Sequence, residues 1–212
     1  MNAITIEPLT RLSLRDQAHD RLMALILHNE LEAGDRINES RLAEELSISR
    51  SPLREALNQL EEEGFVVSRT GRGYFVRALD LEEARELYVI LADLEALAVR
   101  LAGPATPSRV AELHRLNDRI PVEPEESTRA IGINRRWHEE LVAECPNRRL
   151  LEILASLHRH VSRYEHAYFV AGERRLRASK RYHADIIAAL EAGEDDLVRL
   201  AIERHWLSDL DF

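Results

Sequence analysis

Nine histidines and twenty-nine cationic residues, all but Lys180 arginine, are where this 212-residue chain can do chemistry. His183 and His205 are 22 residues apart, with the breaker Ala192-Gly193-Glu194 midway. If both flanks are helical and antiparallel, each histidine stands roughly 16 Å from the turn, at about 1.5 Å per residue, so the two lie at one depth. Asn134 and His138 are four apart and share a helical face. Three imidazoles and an amide oxygen suit a divalent ion, zinc or else nickel or manganese, with positions left for water or a ligand. Spacing alone is met as well by histidines of an ordinary core or surface. His158, His160 and His166 have no partner legible in the sequence, and Cys145 reads as a small unreactive residue.

The arginines have a tighter context. The run from Glu39 to Leu57 reads as a short helix, a turn and a second helix that opens on Ser49, Arg50, Ser51 and Arg54. In a helix-turn-helix the N-terminal end of the second helix enters the major groove. Ser49 and Ser51 can reach phosphates there, beside outward-pointing backbone N–H groups. Arg50 and Arg54, four apart, project from one face. Arginine grips guanine O6 and N7 bidentately, worth about 1–3 kcal/mol of discrimination per good contact. Arg69, Arg72 and the glycines Gly71 and Gly73 form a turn that can bring an arginine to a minor groove or phosphate. In an isolated helix such arginines would be solvated surface charges; here they follow a helix-turn-helix spacing and precede a hairpin.

The elements that must position these residues can be read from periodicity. Arg15–Leu31 has the apolar spacing of a helix stopped at Gly34; Asn38 or Ser40 caps a short helix through Leu46; Ser49 caps a third that ends at Gly64. Phe65–Val67 and Tyr74–Val76 are strand-like, joined by the polar turn 68–73. Beyond Leu79 everything reads as helix: 81–102, 107–119, 126–144, 147–170, 173–192 and 195–210. The expected fold is therefore mainly α, an N-terminal winged helix-turn-helix (1–78) followed by an all-α antiparallel bundle of about six helices (79–212). In the first bundle helix Leu87, Leu91, Leu94, Ala98 and Leu101 form an apolar stripe, for core packing or a dimer face. Trp137, Tyr164, Tyr168 and Trp206 read as core or as the lining of a cavity.

Composition bounds the partners. The hydrophobic and charged fractions, 45% and 32%, are those of a soluble globular protein. No apolar run reaches the roughly 18 residues of a membrane span. Met1–Leu12 lacks the features of a secretory signal, and a single cysteine excludes a disulfide framework, so a cytoplasmic location is expected. The net charge is −9, split −3 over 1–78 (10 − 13) and −6 over 79–212 (19 − 25). Between Ile48 and Arg77, however, five arginines face four glutamates. Screening over about 10 Å makes that local balance the relevant one. It predicts weak non-specific DNA affinity that depends on a few arginines.

The pattern from Gln17 to Val76 resembles the GntR family of transcriptional regulators: Ala33-Gly34, Asn38-Glu-Ser-Arg-Leu-Ala43, Ser47-Ile-Ser-Arg-Ser-Pro-Leu-Arg-Glu-Ala-Leu57, Glu63-Gly-Phe-Val66 and Gly73-Tyr-Phe-Val76. The resemblance implies DNA contacts from Arg41, Arg50 and Arg54 and from the wing near Gly71–Gly73. Residues 80–207 resemble the FCD ligand-binding domain of the FadR subgroup, through Asn134-Arg-Arg-Trp-His138, Asn147-Arg-Arg-Leu150 and His183–Asp195 followed by His205. Six helices place it nearer the VanR-like branch. The resemblance implies a metal held by Asn134, His138, His183 and His205. Many members have aspartate where Asn134 stands, and an arginine where Leu91 stands, so a carboxylate effector would need the metal, Arg135 or Arg163 as its partner.

The expectation is a ligand-responsive DNA-binding regulator, not an enzyme. It would act as a homodimer on a near-palindromic operator, since two recognition helices must match two half-sites. Repression relieved by a small organic metabolite is the mode the resemblance implies. A regulator that senses the ion itself, or a metal-dependent enzyme, are the alternatives; for the latter no acid or base is clearly placed.

Overall fold

The computed structural model describes residues 13–170 and 173–207. The segment 1–12, the end expected for the last helix (208–210) and the ring of Tyr168 lie outside the described residues. The described chain falls into two compact units that divide between Ala78 and Leu79. It is mainly helical, with a two-stranded wing in the first unit and helices alone in the second.

In the first unit α1 (Leu14–Leu27), α2 (Glu39–Glu45) and α3 (Arg50–Glu62) precede β1 (Val66–Arg69) and β2 (Gly73–Val76). A capping box opens α1: Ser13 Oγ accepts from the Asp16 N–H, and Asp16 accepts from the Ser13 N–H. This helix ends four residues before the expected Leu31. Asn29 takes a left-handed φ of 57°, and the Glu30 and Asn29 N–H groups return to the carbonyls of Leu25 and Ile26. That is a Schellman stop in which asparagine does what glycine usually does, so Gly34 is not the terminator. Asn38, rather than Ser40, caps α2 through Arg41 N–H. Ser49 is the N-cap residue of α3, with Pro52 in the first turn.

β1 and β2 pair antiparallel from Val66↔Val76 to Arg69↔Gly73. The first strand starts one residue later than expected, because Phe65 closes α3 by donating to the Leu60 carbonyl and is buried in the core. Residues 34–37 run beside β2: Gly34 and Ile37 N–H donate to Val76 and Tyr74 carbonyls, and Val76 N–H donates to Asp35. Leu22, Leu53, Ala56, Leu57, Leu60 and Phe65 centre the head's core.

The second unit contains α4 (Leu81–Ala102), α5 (Pro107–Arg119), a 3₁₀ turn (Pro124–Glu126), α6 (Ser127–Val142), α7 (Arg148–Val170), α8 (Glu173–Ala192) and α9 (Asp195–Leu207). Local chemistry sets these ends: Asp80 caps α4, Thr106 caps α5 with Pro107 following, and Asn147 Oδ1 accepts from Leu150 N–H at 3.1 Å. The Asn147-x-x-Leu150 motif is thus a helix cap followed by a core leucine.

The α4 stripe departs from expectation. The buried face is Ala84, Tyr88, Leu91, Ala92, Glu95, Ala98 and Val99; Leu101 is exposed, and Leu87 and Leu94 are half-buried. α4 packs on α9, α7 and α6 together, and this turns its buried face away from the expected line. A fully buried glutamate comes to lie in the middle of it.

Candidate functional site

The turn between α2 and α3, with Ser47 at φ 54°, brings the N-terminus of α3 alongside that of α2. Arg50 Nη2 donates to Ser40 Oγ at 3.0 Å, and Arg54 Nε donates to Glu39 Oε2 at 2.5 Å. The two arginines therefore meet consecutive residues of α2 and share a face, as their spacing requires. Arg54 remains largely exposed while Glu39 is mostly covered, so the pair anchors the guanidinium without removing it from solvent. The Glu39 carboxylate also lies near Gly73, where an added Cβ would meet Oε1 at 3.7 Å. Tyr74 Oη donates to Asn58 Oδ1 at 2.5 Å and ties the wing to α3.

The other head residues are placed less uniformly. Ser49 makes no side-chain cap bond and Ser51 meets Glu55 only at 3.5 Å, so both hydroxyls can turn outward. Arg41 is exposed and paired with Glu45 at 2.7 Å. Arg69 lies over the Phe75 ring, 4.4 Å from its centroid, which extends the guanidinium along the wing. Gly71 and Gly73 have φ of 72° and 87°, with Arg72 exposed between them. Those positive angles are why the tip contains glycine. Glu39, Ser40, Asn58 and Tyr74 were not legible as functional positions, although Glu39, Ser40 and Tyr74 sit inside the motif.

In the second unit the turn at Gly193 folds α9 back on α8, and the rings of His183 and His205 come within 5.0 Å. His138 from α6 joins them, 5.2 Å from the His183 ring and 4.9 Å from that of His205. One ring nitrogen from each of the three lies within 4.8 Å of the others, and all three are buried. His138 Nε2 and His205 Nε2 approach to 3.1 Å. Two lone pairs cannot meet so closely without a proton or a cation between them. His183 Nε2 and His205 Nδ1 are buried with no hydrogen-bond partner.

The surroundings favour neutral rings. Burial drives the pKa of all three down, that of His183 well down and that of His205 to about 3. His183 Nδ1 faces Asn117 Oδ1 at 3.2 Å, and Trp137 stacks on the same ring at 3.7 Å and 7°. Trp137 itself donates to the Leu113 carbonyl. His138 Nδ1 faces Glu95 Oε1 at 2.9 Å. Burial works against ionising Glu95, yet His138 and His158 hold its pKa well below the usual carboxylate range. His158 lies 3.0 Å from the same oxygen, off the line of a well-formed hydrogen bond. Burial disfavours its charged form too, but Glu95 raises its pKa. Glu95 thus faces two rings, His138 and His158, while burial favours the neutral form of His138, His183 and His205.

That donor set fits a borderline divalent cation: neutral imidazoles, each backed by a polar acceptor or an aromatic wall. Asn134 is engaged on both sides, its Nδ2 donating to Glu165 Oε1 at 2.9 Å and its Oδ1 accepting from Ser179 at 3.2 Å. Burial, partly countered by His158, raises the Glu165 pKa to about 7. Arg135 is half-exposed, 3.6 Å from Glu139, whereas Arg163 is buried. Tyr164 donates to Glu83 and Trp206 to Glu95, so both are braces within the core. Glu95, Asn117, His158 and Glu165 were missed as site residues. Glu95 alone left a trace, a carboxylate four after Leu91 and three before Ala98. His158, which showed no partner in the sequence, has one in Glu95.

The comparisons with known proteins agree with this two-part layout. Residues 14–76 match the model of the bacterial regulatory proteins of the gntR family, and residues 86–208 match the FCD domain. The chain is 32% identical over 192 residues to the Nta operon transcriptional regulator of Aminobacter aminovorans, covering 87% of this chain and 88% of that one. It is 27% identical to the HTH-type transcriptional repressor RspR of Escherichia coli K12, covering 85% and 80%. Among solved structures, McbR/YncC of E. coli superposes with a TM-score of 0.77 at 25% identity over 94% of this chain and 98% of that one. A GntR transcriptional regulator from Rhodococcus sp. RHA1 gives 0.80 at 25% identity over 92% and 95%.

Proposed function

Since the chain belongs to the GntR family of bacterial DNA-binding transcriptional regulators and carries an FCD domain, we propose that it represses a metabolic operon as a homodimer until a small organic effector releases it. The family makes it a regulator, not a metal-dependent enzyme, and favours an organic signal over the ion itself. The observation that carries the proposal is the pairing of Arg50 with Ser40 and of Arg54 with Glu39, which presents both guanidinium groups from one face beside the wing. Ser49, Ser51, Arg41, Arg69 and Arg72, with Gly71 and Gly73, would bind phosphates and the neighbouring groove.

Two copies of this head on a near-palindromic operator require a dimer. Leu87, Ile90, Leu94, Leu97 and Leu101 recur along α4 at the three-and-four spacing of a helix–helix seam, with Ile90 and Leu101 exposed. A second copy of α4 would cover them. Among the described residues no helix is long and apolar enough to cross a membrane.

His138, His183 and His205 would hold a zinc-like ion, with Asn134 as the further oxygen donor. When bound, the ion would offer open positions to an oxygen group of the effector. Arg163 and Arg135 are the cationic partners proposed for a carboxylate. The effector must differ in affinity between the two states of the dimer to move it off DNA.

The test is footprinting on the chain's own upstream DNA. Arg50→Ala and Arg54→Ala should each lose the protected site with helical content intact. Protection by both variants equal to wild type would reject the recognition-helix assignment.

A further inference from the structure

α4 supplies no ring to the histidine cluster, yet its one buried charged side chain sits directly behind it. Glu95 Oε1 is 2.9 Å from His138 Nδ1 and 3.0 Å from His158 Nε2, and Oε2 accepts Trp206 Nε1 at 2.6 Å. An ionised carboxylate only accepts. A neutral His138 ring has one proton, and Glu95 requires it on Nδ1. The lone pair is then left on Nε2, the atom that faces His205. Asn117 acts likewise on His183. Its Nδ2 donates to the Lys180 carbonyl at 3.1 Å, which identifies Oδ1 as the acceptor facing His183 Nδ1.

We propose that Glu95 is the positioning residue of the histidine centre, fixing His138 in the Nδ1–H form and so aiming the Nε2 lone pair at the shared point. Trp206, held by the other carboxylate oxygen, is the sequence neighbour of His205, so one group on α4 steadies residues from α6, α7 and α9. Glu95 touches the outer edge of the His138 ring, so it acts through the ring and not as a ligand. Its consequence for affinity rests on reading the cluster as a cation site; its consequence for the tautomer does not.

The experiment uses full-length protein labelled with ¹⁵N-histidine, its ring tautomers read from long-range ¹H–¹⁵N correlations without added metal. In wild type His138 and His183 should both carry the proton on Nδ1. In Glu95→Met, which keeps length and removes the acceptor, His138 should move to the Nε2–H form while His183, held by Asn117, stays unchanged. Retention of the Nδ1–H form by His138, or a shift of both rings together as from general disturbance, would overturn the proposal. If Glu95→Met does not fold, Glu95→Leu, which also lacks an acceptor, is put to the same split. Zinc titration against a chromophoric chelator should then show about 10–100-fold weaker binding in the variant. Wild-type protein that takes up no zinc would reject the cation reading, and the tautomer result would still decide the role of Glu95.

Discussion

Four buried histidines sit within one core, and their charge states are set by which groups they face. Glu95, in front of His158, raises the pKa of that ring against its burial, whereas burial lowers those of His183 and His205. A buried cation site needs that asymmetry, because a protonated imidazole cannot ligate. His183→Ala combined with His205→Ala is expected to abolish bound metal, read as zinc, nickel and manganese per chain by elemental analysis of the purified protein. Equal metal content in the double variant and wild type would show that these rings hold no ion. The buried position of Asn134 between Glu165 and Ser179 gives a further expectation. Asn134→Ala would leave Glu165 and Ser179 without their partner and cost about 1–3 kcal/mol, visible in denaturant unfolding whether or not metal is present.

At the scale of elements, two non-glycine residues among the described residues of the head take left-handed backbone. Asn29 stops α1, and asparagine tolerates that conformation through its short polar side chain. Ser47, exposed in the turn before the recognition helix, has no such advantage at φ 54°. The left-handed conformation costs a non-glycine residue roughly 1–2 kcal/mol, against about 0.5–1 kcal/mol for the extra freedom glycine loses on folding. Ser47→Gly should therefore stabilise the head by about 0.5–1 kcal/mol. The α2 and α3 amides would then exchange about two- to fivefold more slowly, where exchange follows opening of the head. Faster exchange would show that the serine makes a compensating contact.

At the scale of the whole molecule, the proposed dimer rests on α4. Its inner face is committed to α6, α7 and α9, while Ile90 and Leu101 stay exposed on the outer seam. Ile90→Glu with Leu101→Glu would place charge in the proposed helix–helix interface without touching the core. The double variant should sediment as a monomer, with unchanged helical content and weaker operator binding. A variant that still sediments as a dimer would move the interface elsewhere.

The sequence by itself determined the element order, because periodicity, caps and breakers are local properties of the chain. It also placed Arg50 and Arg54 on one face and His183 level with His205, since helical spacing converts residue number into direction and depth. Asn29 as a helix stop and the late start of β1 were not legible; both depend on hydrogen bonds that form only when the chain turns back. Glu95 shows the limit most clearly. On one helix it is a charge among apolar residues. Its purpose appears only when α6, α7 and α9 bring His138, His158 and Trp206 to its two oxygens, and no spacing within a single element records that meeting. The same holds for Glu39 and Arg54, fifteen residues apart, whose pairing the fold of the turn decides. Local rules chose the elements, and tertiary packing chose which polar groups would face one another.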